Sequence, residues 1–355
     1  MSIVSTFAAQ ANNGHWQWYV EQMGGPSQTG GYIGFIRGAL PDVAAKTPSE
    51  LPGSRLFEGT GQAYLNTNIT DAKKSVQVVF KSSPFGTQSH GYEANNSFLL
   101  WAYGQRLLIR SGYRDSYGSD HHRNWQWSTR SVNNITINGR GQGRRNAKAQ
   151  GQIVGFKTTP AMDIVVGEAG AAYEPPLERF TRAIIFVKPE LVVVYDRLEA
   201  KEASTFEYWL HAVKKMTVKD QHSIQVRNGD VACDVDFLSP GGLSFKQTDQ
   251  YDPNPRPRIK LREWHLTGTT SKKSKSVEFV TLYRPHRVSD TVPRAAKLER
   301  IEGGYALVVE LSDGEFTALL PTDDEATLKA GGLESKGAIK CGLRRGGRME
   351  VLGFE

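Results

Sequence analysis

The sequence predicts a mainly β protein, a large antiparallel β-sandwich preceded by a short N-terminal helical hairpin. Three observations carry that prediction. From about Leu56 onward, runs rich in Val, Ile, Phe, Tyr and Thr are broken roughly every 8 to 14 residues by Gly, Pro, Asn or Asp, the texture of strands joined by turns. About fourteen such runs follow one another without an intervening helical pattern, which favours antiparallel stacked sheets over alternating βαβ units. No segment recurs at a period of about 20 to 50 residues, so a solenoid or propeller is not expected.

The elements follow in chain order. Trp16, Tyr19, Val20 and Met23 recur at helical spacing, and Ile33, Ile36 and Leu40 repeat the pattern beyond Gly24-Gly25-Pro26. Two helices are therefore expected, with Asn12 or Asn13 capping the first and Pro41 and Pro48 closing the second. Helices this apolar cannot bury both faces against each other, so they are expected to dock on further structure. The clearest strand runs are 76–81, 97–102, 106–110, 134–137, 153–157, 163–167, 180–187, 191–195, 206–211, 231–237, 258–266, 277–283, 305–311 and 316–320. The expected organisation is a helical segment over 1–48, the sandwich over 49–330, and terminal strands over 331–355 that complete it or form a small sheet.

Lys and Arg number 44 against 37 Asp and Glu, a formal net charge of +7, which favours an anionic partner. Nucleic acid is not expected, because no recognition helix and no RNP-like, OB-like or zinc-finger pattern is present. No apolar stretch approaches the roughly 20 residues that span a bilayer, so no membrane partner is expected either. Cys233 and Cys341 are far apart and too few to staple a chain of 355 residues, which leaves the compartment open. The first ten residues lack the basic and apolar regions of a secretory signal. Gly139-Arg140-Gly141-Gln142-Gly143 opens no helix and precedes no Lys-Ser/Thr pair, so it is not a nucleotide cradle. The same stretch carries Arg140, Arg144, Arg145 and Lys148 with no acid between them, either a solvated loop or an anion contact.

Chemistry-bearing residues concentrate between Ser82 and Gly143: Ser89-His90-Gly91-Tyr92-Glu93-Ala94-Asn95-Asn96-Ser97-Phe98, then Arg110-Ser111-Gly112-Tyr113, then Asp120-His121-His122-Arg123-Asn124-Trp125 through Arg130. Aromatic faces pack on the apolar faces of pyranose rings, while amides and guanidinium groups bond hydroxyls and carboxylates. Such a set suits a groove for acidic sugars. The first block resembles the His-x-His-x-Asp-x-Asn-Ser-Phe pattern of the heparinase II/III-like polysaccharide lyases. Thr129-Arg130-Ser131-Val132-Asn133-Asn134-Ile135-Thr136-Ile137-Asn138-Gly139 is similar to that family's Thr-x-x-His-Asn-Thr-Val-x-Val-Asp-Gly. Arg182–Pro189 and Val192–Arg197 match later blocks, so the resemblance covers roughly residues 49–211.

The resemblance implies a β-sandwich that follows an (α/α) toroid in complete enzymes, with residues 1–48 as the toroid's remnant and the active site in the cleft between the two. It implies β-elimination at a uronic acid of an acidic polysaccharide such as a glycosaminoglycan or alginate. Possible partners are that polysaccharide and an N-terminal toroid domain, and the full-length protein would be secreted or periplasmic. His90 matches the family's active-site histidine, which implies base chemistry or neutralisation of the substrate carboxylate. Asn96 matches a position of packing or turn support. Local composition adds Tyr92 and Tyr113 as catalytic candidates and Asn95, Arg110, His121, Trp125, Arg130 and Arg140 as substrate-binding candidates, with Tyr117 and His122 nearby.

Many family members hold zinc through the second histidine of His-x-His, an aspartate ending the next strand, and the histidine before Asn-Thr. Those positions here are Tyr92, Arg110 and Val132, none of them an ordinary zinc ligand. No metal cofactor is expected, and Arg110 is expected to place a fixed charge where the ion would sit. Asp120-His121-His122, read as extended, would point its neighbours opposite ways and so make no replacement site. His211, His265 and His286 are expected to be structural. The alternative to a lyase is a non-catalytic carbohydrate-binding or scaffolding β-domain.

Overall fold

A computed structural model of the chain describes residues 1–26, 30–87, 91–111, 115–259 and 263–354. His90 and Tyr113 lie outside the described residues. The chain forms two compact units, the first made of Met1–Pro52 with Asn68–Asp71 and the second of everything from Gly53 onward except Asn68–Asp71.

The first unit holds three helices, Ser2–Gln10, Gly14–Gln22 and Gly31–Gly38. Asn13 caps the second, its side chain accepting from the amides of His15 and Trp16, while Asn12 takes a positive φ of 47° in the turn before it. The sequence predicts two helices, and the one it misses is Ser2–Gln10. That helix turns Ser5, Ala8 and Ala9 inward and leaves Ile3 and Phe7 exposed, so its inner stripe is too small to register as hydrophobic periodicity. Trp16, Tyr19, Tyr32 and Phe35 of the other helices also face outward.

The second unit is built from antiparallel sheets of five, eight, four, five and two strands. The eight-stranded sheet is the middle layer. Along Leu191–Ser204, Val192, Val194 and Leu198 join a core with Phe80, Phe98, Phe206 and Phe237, whereas Leu191, Val193 and Tyr195 join a second core with Leu307, Phe316 and Leu320. Both faces of this sheet are covered, which is why Leu191-Val192-Val193-Val194-Tyr195 reads as one unbroken apolar run. The first core is closed by the five-stranded sheet containing Val76–Lys81 and Ser97–Ala102, and by the four-stranded sheet Leu243–Thr248, Trp264–Thr270, Phe206–Ala212 and Ile135–Ile137. The second is closed by another five-stranded sheet, in which Lys340–Arg345 and Arg348–Gly353 continue Gly314–Pro321. Strands such as Arg55–Phe57 and Thr217–Val218 are too short to show an alternation. Of the 258–266 run, Arg258 and Ile259 lie in a turn and Trp264–Leu266 in a strand, while 260–262 lie outside the described residues.

A fully buried charged pair lies inside this apolar frame. Arg182 and Asp196 face each other in register on neighbouring strands and are both fully buried. Arg182 donates from Nε to Asp196 Oδ1 (2.5 Å) and from a terminal nitrogen to Oδ2 (3.0 Å). Its other terminal nitrogen donates to the carbonyls of Asn96 (2.8 Å) and Asn133 (3.2 Å). Burial pulls the guanidinium pKa down, but the Asp196 carboxylate outweighs it and holds the proton on. Asn133, also buried, donates to the carbonyls of Phe98 (2.8 Å) and Ile109 (2.9 Å) and accepts from the amide of His211 (2.8 Å). Asn96 sits at φ 59°, a conformation asparagine tolerates better than most residues, and donates to the carbonyls of Gly167 and Phe180.

Arg182→Ala would leave the Asp196 charge buried without its partner, and is predicted to cost about 3–5 kcal/mol. Asn133→Ala would strand backbone groups of three segments, at about 3 kcal/mol. Urea unfolding checks both, each variant lowering the midpoint.

Candidate functional site

The strands Ser97–Ala102 and Gln105–Leu108 end in a segment whose backbone is tied on both sides of Arg110. The Ile109 amide donates to the His211 carbonyl (3.0 Å) and the Ser111 amide to the Ser131 carbonyl (2.8 Å). Beside this segment lies a cavity of about 380 Å³, lined by Tyr92, Trp101, Arg106, Arg110, Ser111 and Gln126 among others. The Arg110 guanidinium stacks over the Tyr92 ring at 3.8 Å and donates to Gln126 Oε1 (3.0 Å). Its Nε is buried and has no hydrogen-bond partner among the described residues. Burial and then the charge of Arg110 push the Lys81 ammonium below its usual pKa. Arg106 and Arg110 make the cavity cationic, with an aromatic wall and a guanidinium whose backbone is fixed.

Of the residues the sequence singles out, the structure brings Tyr92 and Arg110 together. Arg140 lines a different cavity of about 490 Å³, with Asn138, Tyr173, Glu174 and Lys201. Arg130 holds its guanidinium 5.4 Å from the Trp125 ring and donates to the Asn124 carbonyl. Asn95, His121 and Trp125 are turned into the packing. Asn95 accepts from the Ser83 amide and donates to the Ala149 carbonyl, and His121 Nδ1 lies 2.8 Å from the Pro253 carbonyl. Trp125 donates to Ser111 Oγ (2.6 Å) and packs on Tyr251 and His265, so neither indole face is left for a sugar. Composition alone could not separate these residues from Tyr92, because hydrogen-bonding capacity serves loop packing as well as ligand binding. The segment after Asp120 is helical, with a π-turn over His122–Gln126, not extended as the sequence suggested. His121 is engaged with Pro253, and His122 Nδ1 accepts from the Gly118 amide.

The basic loop is partly spent on the fold. Arg144 pairs with the buried Glu93 (2.9 Å), whose carboxyl is raised by burial against the pull of Arg144, and Arg145 lies over Trp127. Sequence reasoning missed Trp101, Arg106 and Gln126. A signal for Trp101 was present, since Phe98, Leu100 and Ala102 point inward and leave Trp101 as an exposed aromatic on the outer face of its strand. It also missed that His211, Glu263 and His265 meet in the interior, where one potential ligand atom of each lies within 4.8 Å of the others. Burial, with the charge of His211 next in weight, lowers the His265 pKa to about 4.

At the three positions where relatives by sequence pattern would hold zinc, Arg110 is stacked on Tyr92 and Val132 is buried in the core. A guanidinium, a phenol beneath it and an alkyl group do not make a zinc ligand set.

Residues 50–295 match the family described as Heparinase II/III-like, C-terminal. No curated protein sequence is a significant match. Among solved structures, the chain is similar to the heparan sulfate lyase HepC from Pedobacter heparinus, with a TM-score of 0.63 and 14% identity over 90% of this chain and 48% of that one. It is similar to the heparinase III BT4657 gene product at a TM-score of 0.62 and 14% identity, over 99% of this chain and 48% of the other. A further heparinase III gives 0.60 and 15%, over 98% and 48%. The chain thus spans just under half the length of these structures, and at such identity they speak for the fold. With the family pattern covering more than half of the chain and the same architecture in the solved structures, this protein belongs to the heparinase II/III-like family and carries its C-terminal β domain.

Proposed function

We propose that the cavity beside Arg110 receives a uronate unit of an acidic polysaccharide, and that the chain is the sandwich part of a lyase cleaving it by β-elimination. The observation that carries this reading is the Arg110 guanidinium, held over Tyr92 in a cationic cavity with Trp101 on its wall. The C5 proton of a uronate is weakly acidic because its removal places charge on the adjacent carboxylate. A fixed cation there stabilises the enolate-like transition state more than the ground state. Arg110 would supply that charge without a metal ion, Trp101 would stack on the sugar ring, and Tyr92, which lines the same cavity, would offer its hydroxyl for proton transfer. His90 and Tyr113 remain candidates for the base and the acid by their place in the family pattern. The helices of residues 1–48 are read as the end of the (α/α) toroid that would supply the other wall of the cleft. The full-length protein would act outside the cytoplasm.

A non-catalytic carbohydrate-binding role is the second reading, favoured by the exposed Trp101 beside Arg110 in the cavity, a pair that can hold an acidic sugar without turning it over. Affinity electrophoresis and turnover separate the two readings. Arg110→Ala is predicted to weaken retention in a heparan sulfate gel roughly 10- to 100-fold, the worth of a charge-assisted hydrogen bond, with Arg140→Ala near wild type. The reverse order would move the binding site to the second cavity. A lyase raises the ultraviolet absorbance of the C4–C5 double bond as it cuts, and His90→Ala is predicted to slow that rise at least about 100-fold while leaving retention intact. Retention without any rise, in this chain and when joined to an N-terminal toroid, would establish the binding reading.

A further inference from the structure

His211 and His265 are cross-strand partners on Phe206–Ala212 and Trp264–Thr270, so their side chains leave the sheet on the same face. Glu263 precedes His265 by two residues, and its carboxylate reaches both rings. Glu263 Oε1 lies 2.7 Å from His211 Nδ1 and 3.9 Å from His265 Nδ1. The three residues are 0%, 2% and 5% exposed. Two ring nitrogens of this cluster, His211 Nε2 and His265 Nδ1, are buried without a hydrogen-bond partner among the described residues. Buried polar atoms nearly always find one, so two orphans in one cluster call for a ligand.

We propose that His211, Glu263 and His265 bind one divalent transition-metal ion, with zinc the best fit. Two imidazoles and one carboxylate are a zinc donor set, whereas calcium and magnesium prefer oxygen alone. In a tetrahedral site with bonds of about 2.1 Å, ligand atoms lie about 3.4 Å apart, and one potential ligand atom of each of the three residues lies within 4.8 Å of the others. The surroundings support the ligands. Ser111 Oγ donates to Glu263 Oε1 (3.0 Å) and accepts from Trp125 Nε1, and the rings of Trp125, Tyr251 and Trp209 stand 4.7 to 6.0 Å from that of His265. Such second-layer bonds fix ligand orientation. These positions are distinct from Tyr92, Arg110 and Val132, and the assignment revises the expectation of a metal-free chain. The ion would not touch the sugar. It would clamp the two strands and, through Ser111, the floor of the cavity next to Arg110.

The test uses the full chain, stripped with a chelator and titrated first with zinc alone and then with cobalt alone. Uptake of about one equivalent is expected, with visible cobalt bands of a low-coordinate site and a rise in melting temperature of roughly 5 °C at saturation. His265→Gln should lose all three signals, whereas His286→Gln and Arg110→Ala should keep them. Should His265→Gln fail to fold, Glu263→Gln, which preserves the side-chain shape, reads the same loss. Absence of uptake by the folded wild-type chain would overturn the proposal, as would undiminished uptake by His265→Gln or Glu263→Gln.

Discussion

The guanidinium of Arg182 is the interaction on which the site depends. It is buried in the first apolar core, against the rings of Phe98, Phe180 and Tyr208, and is neutralised by Asp196 on the neighbouring strand. Its remaining hydrogen bonds go to the backbone at Asn96 and Asn133. A buried ion pair of this kind seldom adds stability over a well-packed apolar pair, but losing one partner is expensive. Here the pair also sets position. Asn133 passes the constraint on to Phe98, Ile109 and His211, and Arg110 follows Ile109 directly in the chain. The cavity is thereby registered against the middle sheet through backbone hydrogen bonds.

The chemistry follows from what that frame presents. A cation fixed at the backbone needs little reorganisation to stabilise charge as it develops. Arg110 occupies a position where the family pattern has an acidic metal ligand, and on the proposed reading it supplies positive charge there in another form. The histidine and glutamate cluster behind Ser111 is a separate device, joined to the cavity by a single hydroxyl that bonds Glu263. On the proposed readings, recognition falls to the basic cavity and bracing to the buried histidine and glutamate cluster.

The fold class was legible because strand alternation and turn residues are local signals. The run at 191–195 reads as a strand, and its cover on both faces is seen only in the structure. Arg110 stands in a place the sequence pattern marks, and the structure sets it over Tyr92. What could not be read depended on pairing. His211 and His265 are 54 positions apart in the chain and meet only through the register of two strands. Asn95, His121 and Trp125 have the composition of a sugar site, yet their bonds to Ser83, Pro253 and Ser111 spend that capacity on packing. The first helix was missed because its inner face is made of serine and alanine, which leave no hydrophobic stripe.

The most direct test of the central claim is a crystal structure of this chain with a short uronate-containing oligosaccharide. The account predicts that a uronate carboxylate pairs with the Arg110 guanidinium, with the sugar ring against Trp101. A carboxylate bound instead beside Arg140, with the Arg110 cavity empty at saturating ligand, would contradict it.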